Sequence, residues 1–367
     1  MKLIIAGGGT GGHIFPGLAV GEEFLSRSPD NKVLFIGARG GLEEDLFVDQ
    51  GIAARFIQSG KFSGMGLINK AKALFRVLAG VFQAGSIIRE FEPDFVLGVG
   101  GYASVPVVIA AVIWKVPRAI QEQNSLPGLA NRVLARMSNR VFLSFESAEE
   151  HFKRVSKGKF VVCGNPLRKK VLEDLNAAAP GNEKSGRFQI FVVGGSQGAR
   201  KLNRLMLEAT EHLRPLRDRL KIVHMSGSID QYDLIVAYSK HGLRAKVSRF
   251  IDDIGRELRE ADLVISRAGA GAVFEIAAAG KPSILIPYPF AADDHQRVNA
   301  AYLASQKAAM VLEEKDIDAK SLAQAIIVFL QSPQKLKDMA EQAKSLARPQ
   351  AAKDIVDQMI KLAGAKK

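Results

Sequence analysis

The sequence predicts an α/β protein of two doubly wound domains, each a parallel sheet wrapped by helices. Three observations carry the prediction. Short β-rich apolar runs alternate with longer helical patterns along the chain, the pattern left by parallel strands joined through helical crossovers. A buried strand, a glycine turn and a helix start follow one another twice in the first half and once in the second. Finally, 367 residues exceed what one hydrophobic core usually organises.

The first of these devices sets the pattern. Lys2-Leu3-Ile4-Ile5-Ala6 has the continuous apolar character of a strand buried on both faces, and it runs into Gly7-Gly8-Gly9-Thr10-Gly11-Gly12-His13 before the helix containing Pro16. Unpaired backbone N–H groups at such a corner attract anions. Phe95-Val96-Leu97 running into Gly98-Val99-Gly100-Gly101-Tyr102, and Ile190-Phe191-Val192-Val193 running into Gly194-Gly195-Ser196-Gln197-Gly198-Ala199-Arg200, repeat it. Two similar domains facing each other across a ligand cleft are therefore expected.

Strands are expected at residues 2–6, 32–37, 53–57, 95–98, 118–121, 141–145 and 160–163. Gly164-Asn165-Pro166 then breaks regular structure, which puts the domain boundary between 1–163 and 164–347. The alternation restarts with strands at 188–193, 221–225, 246–250, 262–266, 283–286 and 309–312. The last helix, about residues 348–363, is expected to cross back onto the first domain.

Charge narrows the partners. The chain carries 51 basic and 38 acidic residues, a net charge of +13, which points to an anionic partner. The basic residues are scattered, with no zinc finger or aromatic RNA-binding signature, so nucleic acid is not expected. With Cys163 as the one cysteine, neither an intrachain disulfide nor a thiolate cluster forms, and a reducing compartment is expected. No apolar run is long enough to span a membrane, and Leu3 to Ala6 is too short for a signal core.

Several motifs bear on chemistry. Gly7-x-Gly9-x-x-Gly12 matches the dinucleotide fingerprint partly because five of its six residues are glycine, and no acidic residue ends the second strand to hold a ribose. In the second half, Ser266-Arg267-Ala268-Gly269-Ala270-Gly271 enters a helix closed by Gly280 and Pro282. Glu275 lies about one turn inside it, close enough to accept hydrogen bonds from ribose hydroxyls, although a first-turn carboxylate also suits the helix dipole. Asp293-Asp294-His295-Gln296-Arg297-x-Asn299 reads either as a sugar-binding segment or as an N-cap. Asp316-Ile317-Asp318 precedes a helical run and reads as a cap, so no metal is expected. His13 is suited to general-base work near neutral pH.

The helix starting at Leu67 is amphipathic, with Lys72, Arg76 and Gln83 on one face and Leu67, Ala71, Leu74, Leu78, Val81 and Phe82 on the other. Packing on a sheet accounts for such a helix. A patch of Met65, Leu67, Ile68 and Phe75 beside Lys70, Lys72 and Arg76, joined by Trp114-Lys115, suits an anionic membrane surface instead.

A set of segments in order carries a resemblance. They are Gly8-Gly9-Thr10-Gly11-Gly12-His13, Gly100-Gly101-Tyr102-Ala103-Ser104, Glu122-Gln123-Asn124, Gly164-Asn165-Pro166-x-Arg168, Gly194 to Arg200, Phe250-Ile251-Asp252-Asp253, and the Glu275 and Gln296 segments. Together they resemble the MurG family, the N-acetylglucosaminyltransferases of bacterial peptidoglycan synthesis. The resemblance implies a GT-B fold and inverting transfer of GlcNAc from UDP-GlcNAc to the C4 hydroxyl of undecaprenyl-pyrophosphoryl-MurNAc-pentapeptide (lipid I). It implies lipid II as product, no cofactor, and action at the cytoplasmic face of the inner membrane.

By position it implies that Ile251 binds uracil and Glu275 the ribose. Ser196, Arg168 and the helix start Ala270, Gly271, Ala272, Val273 and Phe274 would hold the diphosphate, and Gln296, Asn124 and the Thr10, Gly11, Gly12 loop would meet GlcNAc. His13 is the first candidate for the catalytic base and Glu122 the second. One departure is Gln121, where the family often has histidine. Two other classes remain open on sequence, a Rossmann oxidoreductase and a non-catalytic membrane or glycolipid-binding protein.

Overall fold

Among the described residues all strand pairings are parallel, in one sheet of seven strands and one of six. The computed structural model describes residues 1–49, 51–60, 67–177, 186–195, 198–228 and 230–364, without the side chains of residues 42 and 67–74. It divides into two units, Met1–Lys169 with the segment from Pro349 onward, and Lys170–Arg348.

In unit 1 the elements run β1 (Lys2–Ala6), α1 (Gly11–Ser26), β2 (Lys32–Ala38), α2 (Leu42–Asp49), β3 (Ala54–Ile57), α3 (Leu67–Phe91), β4 (Phe95–Gly98), α4 (Ser104–Ile113), β5 (Arg118–Glu122), α5 (Leu129–Leu134), β6 (Arg140–Leu143) and β7 (Phe160–Val162). The sheet order is β3-β2-β1-β4-β5-β6-β7, so the order reverses between β1 and β4. Ala6 pairs with Gly98 there, and the two glycine turns of this unit leave the sheet side by side. β1 and β4 are buried along nearly their whole length, as their unbroken apolar runs require.

Unit 2 continues with α6 (Lys169–Asn176), β8 (Phe188–Val193), α7 (Arg200–Leu213), β9 (Leu220–Met225), α8 (Gln231–Lys240), β10 (Arg244–Ser248), α9 (Ile254–Glu260), β11 (Leu263–Ser266), α10 (Ala270–Ala279), β12 (Ser283–Leu285), α11 (His295–Ser305), β13 (Met310–Val311), α12 (Ala319–Gln331) and α13 (Pro333–Ser345). Its order is β10-β9-β8-β11-β12-β13, reversing between β8 and β11, where Val193 pairs with Ser266. The last helix, α14 (Ala351–Gly364), belongs to unit 1, where Ile355, Val356, Met359 and Ala363 join the core that holds Leu18 and Phe24 of α1.

Three local expectations are corrected. The break at Gly164 does not end unit 1. Gly164 N–H donates to Leu143 O at 3.3 Å, Asn165 is buried beside Gln121, and the Arg168 guanidinium stacks 4.7 Å from the Phe15 ring, so the chain leaves the unit only after Lys169. β10 starts at Arg244 and stops at Ser248, because this edge strand has a partner on one side only and Phe250 turns outward. The described part of α3 buries Val77, Gly80, Ala84 and Ile88, while Phe75, Leu78 and Phe82 point to solvent. The apolar stripe expected to pack through Leu78 and Phe82 is therefore rotated, because Gly80 lies against the Gln58 carbonyl where no side chain fits.

Candidate active site

The second unit builds its site at the β8/β11 switch point. β11 ends at Ser266 and α10 starts at Ala270, with Gly269 extended (φ −63°, ψ 147°) and no side-chain cap. A side chain at Gly269 or Gly271 would enter open space, with no atom within 4 Å of its first carbon. Both glycines thus leave room beside the first backbone N–H groups of α10, where the helix dipole favours an anion. Behind that turn, Ala268, Val273 and Phe274 are buried and fix the helix on the sheet.

The turn is held from α11. Gln296 Oε1 accepts from Ala268 N–H at 3.3 Å and from Tyr288 N–H at 3.0 Å, and buried Asn299 donates through Nδ2 to Ala268 O at 3.2 Å. Two backbone donors on Oε1 fix the amide orientation, which points Gln296 Nε2 the other way as a donor. Arg267, almost fully buried, donates to Ile286 O at 3.0 Å and pairs with Glu314 at 2.5 Å. These contacts join the β11–α10 turn to the β12–α11 loop. Ile251 is buried just past β10, and Glu275 is half-buried one turn into α10.

The glycine turn after β8 rests on a buried network. His224 Nε2 lies 3.1 Å from Asn203 Oδ1 and Nδ1 lies 2.9 Å from the Tyr238 hydroxyl, while Asn203 Nδ2 donates to Ser226 O at 2.9 Å. Gly198 (φ +77°) packs against that Ser226 carbonyl, where any Cβ would sit 2.6 Å from the oxygen. Burial lowers the His224 pKa to about 3 and keeps the ring neutral. Ser196, the expected phosphate hydroxyl, lies outside the described residues.

In unit 1 the turn after β1 carries Thr10, Gly11, Gly12 and His13 at the start of α1. Thr10 Oγ1 lies 3.2 Å from His13 Nδ1. The imidazole lies against Gly100 (φ +93°), where a Cβ would meet its Cδ2 at 2.6 Å. With Nδ1 protonated and donating to Thr10, Nε2 holds the lone pair a base needs. The Ser104 hydroxyl, 2.7 Å from both Ala6 O and Gly100 O, ties the two turns together.

Glu122 has a different setting. It is fully buried, with Oε1 accepting from Asn124 N–H at 2.9 Å and Oε2 accepting from Asn131 Nδ2 at 2.8 Å and Gly128 N–H at 3.2 Å. Desolvation raises its pKa, against the lowering effect of those hydrogen bonds. Both oxygens are engaged in folding the 122–131 loop, which brings half-buried Asn124 with it. Gln121 is fully buried and donates to Ser144 Oγ at 3.2 Å, so an uncharged amide fits where the family often has histidine. Arg168 belongs to unit 1, not to the unit with the α10 start.

Two further expectations resolve as structure. Asp318 Oδ1 accepts from Ser321 N–H at 2.8 Å and caps α12. Asp293 and Asp294 do not cap α11. Both take left-handed backbone, and Asp294 pairs with Arg297 at 2.5 Å.

Residues 3–143 match the glycosyltransferase family 28 N-terminal domain, and residues 189–358 match the family 28 C-terminal domain. The chain belongs to glycosyltransferase family 28. Within this family it is 44% identical over 360 residues to the UDP-N-acetylglucosamine--N-acetylmuramyl-(pentapeptide) pyrophosphoryl-undecaprenol N-acetylglucosamine transferase of Geobacter sulfurreducens, covering 98% of each chain. A relative of the same name from Syntrophus aciditrophicus is also 44% identical, over 97% of each chain. Among solved structures it resembles Acinetobacter baumannii MurG, with a TM-score of 0.76, 30% identity, and coverage of 98% of this chain and 99% of that one. The family 28 chain is thus a MurG-type enzyme with the two-domain GT-B architecture. A UDP-GlcNAc 2-epimerase from Neisseria meningitidis, 13% identical with a TM-score of 0.69 over 98% of this chain and all of that one, shares the fold alone.

Four buried polar residues of the two units escape a reading by motif. Arg267 and Asn299 stand inside motifs without a visible role, Asn203 follows a glycine turn as an ordinary helix residue, and Glu43 lies in a helix start remote from every glycine loop in sequence. Glu43 had one signal, the glycines Gly37 and Gly41 on either side of the turn before it.

Proposed function

We propose that this chain transfers GlcNAc from UDP-GlcNAc to the C4 hydroxyl of MurNAc in undecaprenyl-pyrophosphoryl-MurNAc-pentapeptide, with inversion, forming lipid II. The observation that carries the reading is the α10 start: an uncapped helix N-terminus open in front, clamped behind by Gln296 and Asn299, with Glu275 one turn inside.

In this reading the diphosphate lies at Ala270, Gly271, Ala272, Val273 and Phe274, where the helix dipole contributes up to about 2 kcal/mol toward charge that grows on the leaving group. Glu275 accepts from the ribose hydroxyls, and the backbone near Ile251 takes the uracil. The fixed Gln296 Nε2 donor suits a sugar hydroxyl oxygen, and Asn124 with the Thr10 to Gly12 turn serves the sugar or the acceptor beside it. Ser196 and Arg168 are further candidates for the diphosphate. Departure of UDP leaves an oxocarbenium-like sugar that the acceptor C4 oxygen attacks from the opposite face, while His13 Nε2 takes the hydroxyl proton. Glu122, with both oxygens occupied, serves the loop rather than the proton transfer. The enzyme uses no metal or cofactor in this scheme.

The decisive assay is turnover of UDP-GlcNAc with a lipid I analogue, beside thermal protection by UDP and by NADPH. Transfer with protection by UDP alone is expected. Protection by NADPH without transfer would support an oxidoreductase, and no turnover at all a binding protein.

Action at the cytoplasmic membrane face is part of the same proposal. Phe75 (72% exposed) and Phe82 (80% exposed) stand out from α3, Ile113 and Trp114 end α4, and Gly85 of α3 lies beside the Trp114 indole. Met65 lies outside the described residues, as do the side chains of Leu67, Ile68, Lys70 and Lys72. Among the described residues no helix is long and apolar enough to cross a membrane. An exposed aromatic patch on a chain of net charge +13 supports a peripheral contact with anionic lipid. Phe75→Ser with Phe82→Ser is expected to weaken binding to anionic vesicles about tenfold or more, given about 1.5–3 kcal/mol per fully buried phenylalanine. Equal binding by wild type and variant would remove this part of the reading.

A further inference from the structure

Glu43 opens α2, far from every segment that carries the family resemblance, yet its side chain is completely buried against the first glycine turn. Oε2 accepts from Gly9 N–H at 2.8 Å and Oε1 accepts from Ala38 N–H at 2.8 Å. Three glycines make the space. A Cβ at Gly8 would overlap the carboxylate, one at Gly37 would fall 2.7 Å from Glu43 Cγ, and one at Gly41 would fall 2.5 Å from Oε2. A carboxylate is costly to bury, and here two backbone donors and the N-terminal end of α2 offset that cost.

The turn that Glu43 grips is the one that leads into α1. Gly9 precedes Thr10, whose carbonyl accepts from His13 N–H at 3.1 Å and whose hydroxyl lies 3.2 Å from His13 Nδ1. From the opposite side Gly101 packs against the Gly8 backbone and Gly100 against the His13 ring. We propose that Glu43 is a positioning residue: an internal anion that takes the Gly9 N–H and fixes the Thr10 to His13 segment for proton transfer. The inference rests on the assignment of His13 as base.

Glu43→Gln tests it, because an amide satisfies one of the two backbone donors and sets its own N–H against the other. The expected result has three parts: kcat for transfer to a lipid I analogue falls about tenfold or more, KM for UDP-GlcNAc and the Kd of UDP stay within about twofold, and amide exchange in the peptide spanning residues 7–13 speeds up about tenfold. Gly41→Ala displaces the carboxylate while leaving both it and the turn chemically intact, and gives the same pattern if Glu43→Gln does not fold. Asp45→Asn, altering an exposed carboxylate two positions along α2, changes none of these. Unchanged exchange, an unchanged kcat, or an equal loss of UDP affinity overturns the proposal. His13→Asn separates the underlying reading: full kcat in that variant refutes His13 as base, while exchange at residues 7–13 in Glu43→Gln still decides whether Glu43 holds the turn.

Discussion

The turn after β1 and the turn after β11 are built from the same parts, a buried parallel strand, glycines and a helix start, and they are braced by different groups. In unit 1 the Gly9 N–H is taken by the buried Glu43 carboxylate and the turn is packed from the far side by Gly100 and Gly101. In unit 2 the contacts to Ala268 come from behind, through Gln296 and Asn299, and the space before Gly269 and Gly271 is open. The first turn is braced by a carboxylate and the second by two amides, while both helix starts stay uncapped. A glycine-rich motif therefore reports backbone shape, and its occupant is decided by side chains that arrive from elsewhere in the fold.

The largest effect is expected from Glu275→Ala. Losing two charge-assisted hydrogen bonds of about 1.5–3 kcal/mol each weakens UDP binding by about 100-fold or more in calorimetry. Unchanged UDP affinity would refute the ribose role and with it the contrast between the turns. A smaller effect sharpens the contrast. Gly271→Val places a side chain in the open approach, so UDP affinity is expected to fall about tenfold while thermal stability changes by less than about 1 kcal/mol, valine being no worse a helix former than glycine and meeting no neighbour. Loss of stability without loss of affinity would show that the opening is not a ligand approach.

The third effect, on stability rather than on ligand affinity, concerns what stiffens unit 2. Because burial lowers the His224 pKa to about 3, the folded state excludes a proton that the unfolded chain binds below about pH 6.5. Stability of this unit is therefore fully present above that value and is lost as pH falls, by about 1.4 kcal/mol per pH unit, levelling near the folded value. Unfolding followed between pH 4 and 8 checks the slope, and His224→Gln is expected to flatten it.

The strands were legible because parallel strands buried on both faces must be apolar along their length, as in Leu3 to Ala6 and Ile190 to Val193. α3 was legible as a helix but not in its orientation: its pattern contains more apolar positions than the sheet can cover, and Gly80, needed for close approach to Gln58, decides which stripe turns inward. Asp318 was legible as a cap because capping is local, whereas Asp294 was not, since its left-handed backbone turns the carboxylate toward Arg297.

By itself the sequence determined the repeated strand, turn and helix, the number of sheets, and the family, because each is written in spacing along the chain. Only the tertiary structure decided which groups brace each turn, that Glu122 folds a loop, that Glu43 lies under the turn after β1 and that Asn299 holds the turn after β11. The reason is physical: both sheets reverse order at their centres, between β1 and β4 and between β8 and β11. That reversal brings together groups tens of residues apart whose pairing leaves no periodic trace in the sequence.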